Sequence, residues 1–303
     1  MQDVVIIGGG MAGLSAAIYA SRARLDFKII SSEFGGQFLV SGEVLNYPGL
    51  VNSSGIELMK IMKEQMKFNK VNVSIETAEK VEKSGNNFIV KTDKNEYTTR
   101  AVIIATGSRP RRLDVKGEKE FERKGVTYCA ICDGPLFSGK DIAVVGSGAS
   151  ALEAVDFMEN IASNIYLLVR GDKLKGHKYL QERAEKNKKL KIFFKAVTKE
   201  IIGDKFVNGI RYEQNGKIKE LKVHGVVVET GRIPNTELFR NLVKMDDTGH
   251  VIADFNLNTN VPGIFAAGDI TSGNEYQYSI SAGQGVTAML KAIKYISESK
   301  TRI

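Results

Sequence analysis

The two cysteines of the chain stand at Cys129 and Cys132, in the run YCAICDG, and no other thiol is present. Two thiols separated by two residues can close reversibly into a disulfide, and the thiolate is the form that attacks. A structural zinc site would need two further Cys or His ligands, and His177, His224 and His250, the only histidines, stand at no ligand spacing. With an inert pair as the other alternative, the pattern reads first as a dithiol/disulfide redox centre. Asp133 follows at once. It is placed to exchange a proton with a departing thiol, to cap the turn at Gly134–Pro135, or to do both.

Glycines carry the second kind of chemistry. Gly8, Gly10 and Gly13 form GxGxxG in IIGGGMAGLSAAIYA. The first glycine of such a loop makes a tight turn, the second admits a pyrophosphate to the backbone, and the third lets the following helix pack closely. The next strand, Phe27–Ile30, runs into Ser31, Ser32 and Glu33, so a serine or Glu33 is placed to meet a ribose hydroxyl. Gly146, Gly148 and Ala151 repeat the fingerprint in GSGASA, with Ala149 and Ser150 opening the helix. Beyond Val169 come Arg170, Gly171, Asp172, Lys173, Leu174 and Lys175. Arg170 and Lys175 are placed to pair with a 2′-phosphate, which favours NADPH. The alternatives are that they are surface cations of a Lys-rich loop, or that Asp172 accepts from a free 2′-hydroxyl, as NADH would offer. Two nucleotide sites and one dithiol define an electron route: a nicotinamide delivers hydride, a flavin accepts it, and the flavin reduces the disulfide. The first loop would then hold FAD and the second the nicotinamide cofactor.

These residues require strands that end in glycine. Four apolar runs do so: Val4–Ile7, Val102–Ala105, Ile142–Val145 and Val226–Val228. Helical patterns follow the first and third, over Gly13–Ser21 and Ser150–Asn160. Strand, glycine turn and helix thus occur twice, too far apart for one domain, which predicts two nucleotide-binding α/β domains. Hairpins are predicted at Phe88–Thr92 with Glu96–Arg100, and at Phe206–Glu213 with Lys217–Lys222. After Pro234, Val261–Ala266 runs into Gly268–Asp269, and a last helix is predicted from about Ser281 to Ser297. With 303 residues, 43% hydrophobic and 26% charged, the chain is neither disordered nor a charged tail. Asp3 and the early glycines do not read as a signal peptide, and no run nears about 18 apolar residues. The net charge of +8 includes a Lys-rich stretch, Lys173–Lys191, interrupted by Glu182 and Glu185 like an ordinary solvated helix face. The expectation is a cytoplasmic protein that binds neither membrane nor nucleic acid.

Together these motifs resemble the low-molecular-weight thioredoxin reductases over nearly the whole chain. The resemblance is carried by GGGMAGLSAAIYASR at 8–22, GGQF at 35–38, NYPG at 46–49, IIATGSRPR at 103–111, YCAICDG at 128–134, GRIPNT at 231–236 and GIFAAGD at 263–269. It implies a homodimer of two Rossmann-like, three-layer ββα-type domains, the second inserted into the first. The FAD-binding domain would comprise residues 1–113 and 237–303, and the NAD(P)H-binding domain residues 114–236, with the dithiol. Gly8, Gly10 and Gly13 would hold the FAD pyrophosphate. Gly36, Gln37 and Asn46 fall in motifs that line the flavin, as do Ala105, Thr106 and Gly107 in IIATG. Gly268 and Asp269 would meet the ribityl or pyrophosphate region, and Gln277 and Ser281 would lie near the isoalloxazine. Gly231 belongs to the second dinucleotide site. Cys132 would face the flavin and Cys129 would attack the disulfide of thioredoxin or a glutaredoxin-like protein, with the inserted domain rotating between tasks.

The sequence departs from the family in three places. A His-Arg-Arg run with a further Arg is Val169, Arg170, Gly171 and Lys175 here, which implies a smaller preference for NADPH over NADH. An Arg-Gln pair before the last helix is Tyr276-Gln277, and the acid after the second strand is replaced by Ser31–Ser32. The competing readings are a similar enzyme with another electron donor, and a flavoprotein that has become a non-catalytic binding module. A ferredoxin–NADP reductase type is argued against by the cysteine pair.

Overall fold

A computed structural model describes residues 1–301 except 40, 42, 43, 45, 52 and 274; the side chains of residues 132 and 299–301 also lie outside the described set. The chain divides into two compact units, Met1–Arg109 with Ile233–Ile303, and Pro110–Arg232. The divisions fall slightly before the positions expected from sequence. There, Ser108–Pro110 and Arg232–Pro234 pair as a two-stranded ribbon that carries both crossings.

In the first unit the sheet order is Val73–Ile75, Phe27–Ser31, Gln2–Ile7, Glu96–Ile104, Asn87–Thr92, Ala78–Ser84, with Ile264–Ala266 also paired to Glu96–Ile104. Alternation along Gln2–Ile7 builds two cores. Val4 and Ile6 face the helices Met11–Arg22 and Tyr278–Thr301, while Val5 and Ile7 join Val90, Phe239 and Val251 on the other face. Glu96–Ile104 corrects the sequence reading, which divided it into a hairpin arm and a separate buried strand. No Gly or Pro interrupts it, so one strand pairs antiparallel with Asn87–Thr92 over Glu96–Thr99 and parallel with Gln2–Ile7 over Thr99–Ile104. The last helix begins at Tyr278, earlier than expected, and there the Tyr278 ring packs 5.1 Å from Phe38.

The second unit repeats the plan. Leu190–Phe194, Asn164–Val169, Asp141–Gly146, Gly225–Glu229 and Val126–Thr127 form a five-stranded parallel sheet in that order. Ile142 and Val144 pack toward the helices Ala149–Met158 and Lys178–Lys186. Ala143 and Val145 pack toward a three-stranded antiparallel sheet, Ala196–Gly203, Val207–Gln214 and Lys217–Leu221. The predicted hairpin turn is present: Asn215 and Gly216 both take positive φ, 53° and 72°, as a two-residue hairpin turn requires. No helix among the described residues is long and apolar enough to cross a membrane.

Candidate functional site

The two glycine loops share one geometry. Gly10 caps the helix Met11–Arg22, and Gly148 caps Ala149–Met158. Both have φ −86° and ψ −171°, and neither supplies a side-chain cap to the helix. A Cβ at Gly8 would fall 2.1 Å from the Ala105 carbonyl oxygen, and one at Gly13 would fall 1.9 Å from that of Gly8, so these glycines serve close packing. At Gly10 and Gly148 a Cβ would meet no atom within 4 Å. Each loop therefore offers open space over the amides of a helix N-terminus, the donor set that suits a pyrophosphate.

Around the first loop, Gly9 N donates to Ser31 Oγ at 2.9 Å. Ser31 thus braces the loop, and Glu33 stands exposed beyond it. Gly35 N donates to Gly9 O at 2.9 Å, which lays Gly36 and Gln37 against the same turn. Gln37 Nε2 donates to Ser108 O, Asn46 Nδ2 donates to Gln277 Oε1 at 2.8 Å, and Asp269 accepts from both Ser108 Oγ and Ser281 Oγ. Gly268, at φ +82°, lies against Ala12, and its N–H donates to Gln284 Oε1. Distant segments thus converge on one end of the sheet. The IIATG run joins them, because Thr106 and Asn235 exchange two side-chain hydrogen bonds of 2.8 Å and Asn235 N donates to Gly107 O. Sequence reasoning missed Ser108, Asn235 and Gln284. Each carried a signal: Ser108 lies in IIATGSRPR, Asn235 in GRIPNT, and Gln284 between two glycines in AGQG.

In the second unit, Lys175 N donates to Ser147 O at 2.7 Å, so the loop beyond Val169 folds back onto the fingerprint. Arg170 and Ser150 are exposed, and a Cβ at Gly231, φ +103°, would meet open space.

The cysteine segment leaves the end of the edge strand Val126–Thr127. Cys129 is disulfide-bonded. Cys132 lies in the short helix Ala130–Asp133, and its side chain lies outside the described set. The Thr127 hydroxyl accepts from Cys129 N at 3.1 Å and donates to Asp133 Oδ2 at 2.5 Å, so one buried threonine organises the turn. Glu229, opposite Gly146 on the neighbouring strand, accepts the Ala130 N–H. Burial pushes its carboxyl up to about 8; nearby Glu153 adds to the rise, while Arg232 and the Ala130 N–H oppose it. Before Cys129, Tyr128 OH donates to Glu118 at 2.9 Å, and burial with that bond holds the phenol protonated well above its usual range. Glu118 also accepts from Leu113 N and Asp114 N, pinning the first residues of the unit. Thr127, Glu118 and Glu229 escaped sequence reasoning because their partners are set by the fold. Among the described residues no cluster of three or more His, Cys, Asp or Glu could hold a metal ion.

Two glycine cradles and a cysteine turn, carried by two α/β units, are a set of features that suits dinucleotide-dependent disulfide chemistry. The chain belongs to the pyridine nucleotide-disulphide oxidoreductase family, whose model matches residues 2–286. It is similar to the thioredoxin reductase of Listeria monocytogenes, 38% identical over 306 residues, covering 99% of this chain and 95% of that protein. It is 38% identical over 297 residues to an NADH dehydrogenase of Bacillus subtilis, covering 97% of this chain but 58% of that longer relative. A solved thioredoxin reductase of Lactococcus lactis superposes with a TM-score of 0.82 at 33% identity, covering 98% of this chain and 100% of that one. The resemblance to the low-molecular-weight thioredoxin reductases and the α/β fold expected from sequence are both borne out.

Proposed function

We propose that the chain is a thioredoxin-disulfide reductase that passes electrons from NADPH, through FAD and the Cys129–Cys132 pair, to the disulfide of a thioredoxin-like protein. The observation that carries this reading is the disulfide-bonded Cys129 in the same compact unit as the second glycine cradle. FAD would be held by Gly8, Gly10 and Gly13, with Gln37, Asn46, Asp269 and Ser281 around it; NADPH would be held by Gly146, Gly148, Arg170 and Lys175. When bound, the flavin supplies the chemistry that converts hydride from a nicotinamide into an electron pair for a disulfide.

The chain's own residues do the rest. The reduced Cys129 thiolate attacks one sulfur of the partner's disulfide, forming a mixed disulfide and releasing the partner's other sulfur as thiolate. Cys132 then attacks Cys129, which restores the intramolecular disulfide and frees the second partner thiolate. Asp133, held by Thr127, is the carboxyl within this turn that would exchange protons. Ile131 and Leu136 flank the turn at 49% and 68% exposure, an apolar collar suited to a protein substrate. The homodimer and a cytoplasmic location belong to this reading.

The test is steady-state oxidation of NADPH and NADH by purified protein with thioredoxin, alongside the visible flavin spectrum. Cys132→Ser should keep the flavin spectrum and lose thioredoxin turnover; full turnover in that variant would refute the dithiol route. A second reading, with NADH as donor, is favoured by Asp172 in the loop beyond Val169 and by the similarity to the Bacillus NADH dehydrogenase.

A further inference from the structure

We propose that Lys195 is a third cation, with Arg170 and Lys175, that reads the 2′-phosphate of the nicotinamide cofactor and so helps set cofactor choice. The inference rests on the reading above that the second glycine loop binds NADPH.

Asn164–Val169 and Leu190–Phe194 run parallel, with Val169 opposite Phe194. Arg170 and Lys195 are therefore the first residues beyond the ends of two neighbouring strands, which lie about 4.8 Å apart. Two backbone bonds hold this edge together. Lys195 N donates to Gly171 O at 2.7 Å, and Lys175 N donates to Ser147 O at 2.7 Å. The loop carrying Arg170 and Lys175 is thus tied at one side to Lys195 and at the other to the fingerprint.

Lys195 takes φ +53°, a left-handed conformation uncommon outside Gly, Asn and Asp. It is the single residue between Leu190–Phe194 and Ala196–Gly203, so the chain turns there at the sheet edge, and the residue is exposed. A dinucleotide anchored on the glycine loop lies across the carboxyl ends of the parallel strands. The loop 170–175 and the adjoining strand end supply four cations, Arg170, Lys173, Lys175 and Lys195, against one acid, Asp172. Lysine binds phosphate as a point charge and needs proximity more than a fixed fork, so a lysine from the neighbouring strand can serve where the loop itself has few arginines.

The test is calorimetric titration of the FAD-containing protein and of Lys195→Asn with adenosine 2′,5′-bisphosphate and with 5′-ADP. Asparagine tolerates the left-handed backbone, so the turn is retained. The wild type should prefer the 2′-phosphorylated nucleotide. Lys195→Asn should weaken that nucleotide about five- to tenfold and leave 5′-ADP within about twofold. Lys195→Arg should retain the preference. A wild type without preference for the 2′-phosphate refutes the NADPH reading and this inference with it. A wild-type preference that persists in Lys195→Asn, or equal losses for both nucleotides, overturns the inference alone.

Discussion

Replacing Glu229 with glutamine should stabilise the protein in alkaline solution and have little effect in acid. In the unfolded chain this carboxyl titrates near 4.5, whereas in the folded protein burial and Glu153 carry it to about 8. Between those values the folded state keeps a proton that the unfolded state has lost. The sign follows: the group's contribution to stability is fully present below about 4.5, declines as pH rises, and is lost once pH passes about 8. A rise of about 3.5 in pKa corresponds to a ceiling of about 5 kcal/mol. Two effects reduce what the variant recovers. Glu229 is only partly shielded from water, and glutamine forfeits the attraction of Arg232. The expected gain at pH 9 is therefore about 1–3 kcal/mol, against less than about 1 kcal/mol at pH 4.5. Urea unfolding of wild type and Glu229→Gln at both pH values, at one ionic strength, gives the difference of differences. An offset between the two proteins that is the same at both pH values would refute the reasoning.

Two further substitutions separate space for a ligand from space for the fold. Gly10→Ala should melt like wild type when flavin-free, because its Cβ meets no protein atom, yet bind FAD at least about tenfold more weakly in a fluorescence titration. Retained FAD affinity would remove Gly10 from the cradle. Gly285→Ala should do the reverse: its Cβ would fall 2.0 Å from the Ala12 carbonyl oxygen, where the last helix crosses Met11–Arg22. A loss of about 2–4 kcal/mol in a urea titration is expected, and a loss under about 0.5 kcal/mol would show that the helices can part without cost.

Legibility in the sequence followed the range of the interactions. The glycine loops were readable because strand, turn and helix lie within one short stretch. The cysteine pair was readable because its spacing is itself the chemistry. Ala78–Ser84 and Ala196–Gly203 went unnoticed, since alternating charged residues such as Glu79, Lys80 and Glu82 resemble a loop until a partner strand is known. Glu96–Ile104 was divided because its first half is polar and its second apolar. The structure shows that it changes partners along its length without ending. The sequence left a serine or Glu33 as the ribose contact; what it did not show is that the Ser31 hydroxyl accepts the Gly9 amide and so braces the loop. Gly285 stood in plain view inside a helix, but only the crossing of a second helix explains it.

The ribbon of Ser108–Pro110 and Arg232–Pro234 gives the inserted unit a property of its own. Its entrance and exit stand side by side, with Arg111 N donating to Gly231 O at 2.9 Å. An insertion of this kind is a cassette. Residues 110–232 can be removed and the flanking ends rejoined by a few residues, or exchanged for another domain whose termini are equally close. A lineage could therefore change what the dithiol unit recognises without redesigning the unit into whose sequence it is inserted.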